Sequence, residues 1–343
     1  MDLLTGTLSI GRHVVNVFGE YSVHVSQIAI DRLSSQERNW RILQQTNLAT
    51  DKMEGLNRSL VRLANMPNSP ETTPNLQPSI TDLASMFDAW YSALMNSHLR
   101  LTDLVAGLTP EELEGSSYAS EWNIAQVLSH LGSGAEIFSL LLKAGLNGDP
   151  APEREVYLPI WERWNAKRPE QQTHDSLRFN AEFLEQMVAL DDSQRRALHL
   201  SMFGQDQDVI DLLRLRLSEH AVHTWDVAVA LDQDATIASD AVVLLLDILE
   251  RRVNRSAKPT EKPIEVRIVT QDPKRLFVLN VNIDGAVLRP LTNLEVAEFK
   301  ASLELPAEAF IRLVYGRLGL EHRHKIYEDG VDIDALRQVF PGF

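Results

Sequence analysis

The stretch RLRLSEHAVHTWDVAVAL (residues 214–231) carries residue types that could bind a metal ion. Glu219 and His223 are four positions apart, so on a helix they lie on one face, about one turn or roughly 6 Å from each other. A carboxylate and an imidazole at that separation can hold one divalent cation from the same side. This pair is therefore the first part of a candidate metal site.

The apolar pattern around the pair predicts the element that must position it. Apolar residues recur at steps of three and four with no Pro or Gly between them, which predicts one helix. Arg216 and Asp226 extend its polar line above and below the pair. A stripe exposed to solvent is the alternative interpretation, and it is the commoner one for such a pattern. Apolar residues on both sides of the stripe favour a helix inside a bundle, where inward-facing side chains of separate helices build metal sites.

A third candidate ligand, His130, lies far upstream on the apolar segment VLSHLGSG (residues 127–134). A lone histidine on an apolar helix is usually a core residue satisfied by a hydrogen bond, and the Glu219/His223 pair is what favours ligation here. His220 competes with His223 as a ligand, but one helix aims only one pair squarely inward. We therefore predict a site of His130, Glu219 and His223.

This ligand set leaves at least one coordination position open, which distinguishes a catalytic zinc site from a structural one. Asp226 could orient one of the ligands, or it could be an exposed helix residue. Gly132 and Gly134 each cost about 1 kcal/mol in a helix interior relative to alanine. A close approach of a ligand or another backbone would explain them, and so would a simple helix break.

Composition restricts the class of protein. The 343 residues include 33 basic and 48 acidic side chains, and the net charge of −15 argues against a nucleic-acid partner. The absence of cysteine excludes disulfides, thiolate zinc sites and cysteine nucleophiles, so any thiol chemistry needs an external sulfur compound. No apolar run approaches the roughly 18 residues of a membrane helix, and no secretion signal begins the chain. We expect a cytoplasmic protein without a membrane partner, whose oligomeric state the sequence does not indicate.

Linkers and changes of hydrophobic period predict three parts. Residues 1–78 are an N-terminal extension of unknown function that ends in a proline-rich linker. Residues 79–255 show helical periodicity and predict an antiparallel bundle of about four long helices, the second of them capped by Ser120. Residues 256–343 change to a period of two, with a hairpin turn at Asp284-Gly285, and predict a small α+β domain. The fold class is thus mixed, a helix bundle followed by an α+β domain.

Several of these motifs together resemble a known family. WNIAQVLSHL (residues 122–131), followed downstream by EHAVHTWDVA (residues 219–228), is similar to the mycothiol-dependent maleylpyruvate isomerase family of DinB-like four-helix metalloproteins. LVYGRL (residues 313–318) and the closing FPGF resemble its second domain, which is similar to sterol-carrier folds. The resemblance covers about residues 80–343. The sequence departs from the family pattern at SYASE (residues 117–121), where the family more commonly has a Pro and Gly turn.

The resemblance implies a ligand set and a reaction. His130, Glu219 and His223 match the family's zinc ligands, and Arg317 matches an arginine that the second domain brings toward the metal cavity to hold a substrate carboxylate or enolate. Arg323, His322 and His324 are alternatives to Arg317 in this role. Arg317 could also be a surface residue without a role in the site, since an arginine is favoured at a helix C-terminus. The implied cofactors are zinc and mycothiol, whose thiolate would attack a small electrophilic substrate.

Three classes of function stay open: a thiol-dependent enzyme, a metal-dependent hydrolase and a non-catalytic binding protein. An isomerase would add the thiolate to a cis double bond conjugated with a carbonyl, allow rotation and eliminate the trans isomer, whereas an S-transferase would release the adduct. A metal-dependent hydrolase on the same bundle would use hydroxide instead and would need no thiol. A non-catalytic protein would bind an apolar ligand in the α+β domain. The thiol-dependent enzyme is the preferred hypothesis.

Overall fold

The structure is a computed structural model, and it describes residues 80–202, 204–291, 299–323 and 325–342. Ile80–Phe343 forms one compact unit. The predicted extension of residues 1–78 and the alternative residue His324 lie outside the described residues. The division of the compact unit at residue 255 stays a prediction.

The first part of the described chain is almost entirely helical. Its elements, in chain order, are α1 (Ile80–Val105), α2 (Pro110–Leu113), α3 (Ile124–Asn147), α4 (Arg154–Asn165), α5 (Pro169–Val188), α6 (Asp192–Ala197), the short strands β1 (Leu200–Met202) and β2 (Gln205–Gln207), α7 (Val209–Leu231) and α8 (Ser239–Ser256).

The four long helices α1, α3, α5 and α7 pack on one another in a closed cycle, α1 on α7, α7 on α3, α3 on α5 and α5 on α1. Their apolar side chains fill the core, including Phe87, Leu128, Phe183 and Leu217, all of them buried. Burial of such side chains stabilises each helix by roughly 1.5–3 kcal/mol per residue relative to exposure. This packing agrees with the predicted bundle, and the antiparallel four-helix description itself stays a prediction.

A mixed sheet follows the helices, as the change of period predicts. Its elements are β3 (Ile264–Gln271), β4 (Arg275–Asn282), β5 (Gly285–Pro290), β6 (Ser302–Pro306), α9 (Ala307–Val314), β7 (Tyr327–Asp329) and α10 (Ile333–Val339). The strand order is β5-β4-β3-β6-β7, and only the β3–β6 pair is parallel. The predicted hairpin turn is confirmed, because Asn282 pairs with Gly285, whose φ of 127° suits glycine.

The predicted cap of the second long helix is wrong. Asn123, and not Ser120, caps α3: its side chain accepts from the Gln126 amide, and the Gln126 side chain accepts from the Asn123 amide. This reciprocal arrangement satisfies two backbone donors at once, and the prediction overlooked the glutamine that makes it possible.

Candidate metal centre

Two long helices bring the candidate ligands together. Asp208 and Asp211 form a capping box that starts α7, which then runs without a break past Glu219 and His223. α3 presents His130 from the facing side, about two turns after its own cap at Asn123. Buried apolar residues flank all three positions; His223 is buried, while 35% of the His130 side chain and 36% of the Glu219 side chain are exposed.

The ligand atoms have the spacing that one metal ion requires. His130 Nε2 lies 3.2 Å from Glu219 Oε2, and His223 Nε2 lies 3.7 Å from the same oxygen. One ligand atom of each residue lies within 4.8 Å of the other two. A tetrahedral ion with bonds of about 2.1 Å would separate its ligands by roughly 3.4 Å, so the three side chains fit such an ion with little movement.

Asp226 fixes the orientation of His223, the buried member of the three candidate ligands. The Nδ1 of His223 lies 2.8 Å from Asp226 Oδ2, and Asp226 is fully buried. Because an ionised carboxylate can only accept, His223 must donate through Nδ1, which leaves the Nε2 lone pair facing Glu219. Carboxylates commonly orient metal-binding histidines in this way. The contact between Asp226 and His223 has the geometry that this orienting role requires.

The surroundings of the site favour an ionised Glu219 and a neutral His130. Burial alone would raise the pKa of Glu219, but the hydrogen bond from His130 and the nearby charges of His223, His130 and Arg252 lower it to about 2. Burial lowers the pKa of His130 despite the opposing effect of Glu219. A carboxylate that stays charged and an imidazole that stays neutral at pH 7 are the forms that bind divalent cations.

The competing histidine His220 faces a different side of α7. Its Nδ1 lies 2.9 Å from Ser97 Oγ and 3.2 Å from Thr224 Oγ1, and its ring is completely buried against α1. It does not belong to the group of three potential ligands. The rotation of about 100° per residue on a helix turns His220 away from Glu219, whereas His223, four residues after Glu219, lies only about 40° from it.

Arg317 lies against Asp226. Its Nε is 3.0 Å from Asp226 Oδ1 and its Nη2 is 3.1 Å from Oδ2, while Nη1 donates to the Tyr315 carbonyl at 2.7 Å. The guanidinium therefore neutralises the carboxylate that holds His223. Its predicted contact with a substrate stays a prediction, and only the remaining N–H groups of Nη1 and Nη2 could make it.

The two described alternatives to Arg317 are engaged elsewhere. Arg323 forms an ion pair with Asp334 on α10. The His322 ring packs against Tyr118 and Trp225, with ring centroids 5.6 and 5.8 Å away.

Trp122 is a site residue that the sequence indicated only as part of a motif. Its ring centroid lies 5.0 Å from that of His130 and 5.9 Å from that of His223, and 36% of the residue is exposed. The SYASE segment holds it in place, since Ser117 Oγ donates to the Trp122 carbonyl at 2.8 Å and the Trp122 amide donates to the Ala119 carbonyl at 2.7 Å. A half-exposed indole thus covers one side of both imidazoles.

Comparisons with known proteins agree with this arrangement. Residues 94–228, which contain all three candidate ligands, match the family model described as the mycothiol maleylpyruvate isomerase N-terminal domain. The chain is similar to the crystal structure of the mycothiol-dependent maleylpyruvate isomerase, with 12% identity, a TM-score of 0.52, and coverage of 74% of this chain and 95% of that one. No curated protein sequence matches the chain.

A second solved structure, a histidine-to-alanine mutant of the mycothiol-dependent maleylpyruvate isomerase, gives 12% identity, a TM-score of 0.50, and coverage of 70% of this chain and 92% of that one. At this level of identity the structural likeness concerns the fold. Within the described residues, no helix has the length and apolar character needed to cross a membrane. The predicted family resemblance is confirmed: residues 94–228 match the N-terminal domain of the mycothiol maleylpyruvate isomerase family, on a fold similar to that of the mycothiol-dependent maleylpyruvate isomerase.

Proposed function

We propose that this chain is a zinc-dependent enzyme that uses a low-molecular-weight thiol, mycothiol, to act on a small electrophilic substrate. The observation that carries the proposal is the convergence of His130, Glu219 and His223 within 4.8 Å. Three protein ligands leave a coordination position for a reactant, and the matched family model and the similar solved structures are named for mycothiol-dependent isomerisation.

The chain's own residues prepare this site for thiol chemistry. A bound zinc ion lowers the pKa of a coordinated thiol, which makes thiolate available near neutral pH. Asp226 keeps the proton of His223 on Nδ1, and Glu219 supplies the negative charge that holds a cation. His130 must give up the proton that it shares with Glu219 when it becomes a ligand. With no cysteine in the chain, no protein thiol competes for the site.

The reaction is an isomerisation of the maleylpyruvate type or a thiol S-transfer. In the first case the thiolate adds to a conjugated cis double bond, the new single bond rotates and elimination restores the thiol. In the second case the thioether adduct is the product. We propose Arg317 as the contact for a substrate carboxylate or enolate oxygen, because a guanidinium beside the site suits a developing negative charge.

The test replaces one ligand and measures zinc and thiol dependence together. His223→Ala is expected to lose most bound zinc by elemental analysis and to lose thiol-dependent turnover in a panel of thiols and electrophiles, because one of three ligands is gone. His174→Ala is the matched control, since the His174 side chain is 75% exposed and remote from the ligand group. Undiminished zinc content in His223→Ala would contradict the proposed site, and full activity without any thiol would favour the hydrolase.

A further inference from the structure

A buried arginine lies one helical turn before the ligand Glu219. Arg216 is 1% exposed and donates from Nη2 to the Leu131 carbonyl at 2.7 Å and to the side-chain oxygen of Asn180. Among the described residues no carboxylate pairs with it within 4.0 Å, and its Nε is buried without a partner. A buried cation without a paired anion is costly, so its presence calls for a role.

The guanidinium occupies a space that a glycine leaves open. A Cβ at Gly134 would lie 2.8 Å from Arg216 Nη1, so any side chain there would displace the guanidinium. Gly134 stays within α3, which continues to Asn147 without a break. The close approach at this glycine is thus made by a side chain of α7 and not by the ligand or backbone that the sequence suggested, and α3 has no break here.

The bonds of Arg216 join three helices at the level of the metal centre. Leu131 is the residue after His130 on α3, and Asn180 lies on α5. A shift of α3 along α7 by one residue would move His130 by about 1.5 Å and would break the bond to the Leu131 carbonyl. The position of His130 relative to Glu219 is thus tied to this one guanidinium.

We propose that Gly134 and Arg216 form a clamp that sets the register of α3 against α7 and so places His130 opposite Glu219 and His223. The inference rests on the proposed metal site. Arg216 is a positioning residue, which acts on the metal site through the placement of His130. An apolar residue of similar volume would often keep a core as stable as a buried charge does, but it has no directional bonds that could fix the register.

The test is a double-mutant cycle with zinc affinity as its readout. Arg216→Met removes the bonds, and Gly134→Ala forces the guanidinium out of its place. Each single variant is expected to weaken zinc binding by about 10–100-fold in a competition titration, as the loss of other residues that support metal ligands does. The double variant is expected to bind zinc no more weakly than Arg216→Met, because alanine at 134 then has nothing to displace.

Two further measurements separate register from folding. Denaturant unfolding of the metal-free variants reports whether the fold survives, and Arg216→Lys keeps the charge but loses the fork, so it is expected to bind zinc as weakly as Arg216→Met. Gly145→Ala, also in α3, is the control, because its Cβ meets only the Leu198 side chain and the His199 backbone. Unchanged zinc affinity in the single variants, or effects that multiply independently in the double variant, would overturn the clamp. A wild-type chain that binds no zinc would overturn the metal site and the clamp together.

Discussion

His98 is a buried titratable residue that is not itself one of the candidate ligands. It is 8% exposed, its Nδ1 has no hydrogen-bond partner among the described residues, and its ring packs edge-on to His220 at 6.2 Å. Burial, and to a lesser extent the charge of Arg216, lowers the pKa of His98 to about 4. The folded protein therefore holds this imidazole neutral where the unfolded chain would protonate it.

This shift predicts a loss of stability in acid. The contribution of His98 to the free energy of unfolding is fully present above its unfolded pKa of about 6.5. It is lost as the pH falls toward 4, and the loss reaches roughly 3 kcal/mol there. His98→Gln is expected to flatten the pH dependence of the free energy of unfolding between pH 6.5 and 4, measured by denaturant titration of metal-free protein. His174→Gln, at an exposed histidine, is the control, and parallel curves for His98→Gln and wild type would contradict the prediction.

The sequence indicated the candidate ligands and a possible orienting role for Asp226, but not the pairing of Asp226 with Arg317. Helical spacing places Glu219 and His223 on one face, and the motif around His130 identifies the partner helix, so the three residues could be named in advance. The pairing of Asp226 with Arg317 joins positions 91 residues apart. Local periodicity contains no information about such a contact, because the contact depends on how the sheet-containing part of the chain packs against α7.

The packing of α3 on α5 depends on a second glycine. A Cβ at Gly132 would lie 2.2 Å from the Trp164 ring and 2.9 Å from the Ser176 backbone. Trp164 is completely buried, and its Nε1 donates to Glu136 at 2.9 Å. The indole therefore cannot move aside without giving up this bond.

We expect Gly132→Ala to destabilise the fold although alanine is the better helix former. The gain in helix propensity of about 1 kcal/mol is outweighed by overpacking, which typically costs 1–3 kcal/mol and more where backbone is struck. The free energy of unfolding from a urea titration gives the net change. Gly145→Ala should cost less, because its new Cβ would be 3.2 Å from a movable leucine side chain, and an equal loss at both positions would refute this explanation.

The existence of the long helices was easier to predict than the points at which helices begin and end. The long apolar stripes of α1, α3 and α7 identify these helices directly. Residues 154–188 form two helices, α4 and α5, because Pro169 starts α5 where its missing N–H costs nothing. The three-residue strands β1 and β2 are too short to show a period of two, so the sequence does not reveal them.

At the scale of the whole molecule, a buried ion pair connects the sheet-containing part to the helix that carries Glu219 and His223. Arg317 follows α9, and Asp226 lies on α7. The charge of Arg317 and the hydrogen bond from His223 lower the pKa of Asp226 against the opposing effect of burial. The two parts thus share a residue pair that contacts His223, one of the candidate ligands.

Arg317→Met should therefore affect both folding and metal binding. Removing one partner leaves Asp226 buried with only His223 beside it, and breaking a buried pair typically costs 3–5 kcal/mol. We also expect weaker zinc binding, measured by competition titration, because Asp226 without its partner Arg317 would hold His223 in a less fixed orientation. Arg323→Met, which breaks a pair with the half-exposed Asp334, should leave zinc affinity unchanged. Wild-type zinc affinity in Arg317→Met would show that Asp226 orients His223 unaided.

The position of Trp122 gives the molecule a built-in optical probe. An indole whose ring centroid lies 5.0 Å from one imidazole is close enough for its fluorescence to respond to an ion held there. Zinc has a filled d shell, whereas cobalt has unpaired d electrons and absorbs visible light. Exchanging the two metals would therefore dim the emission of this side chain, and the extent of dimming would count occupied sites without any label attached to the protein.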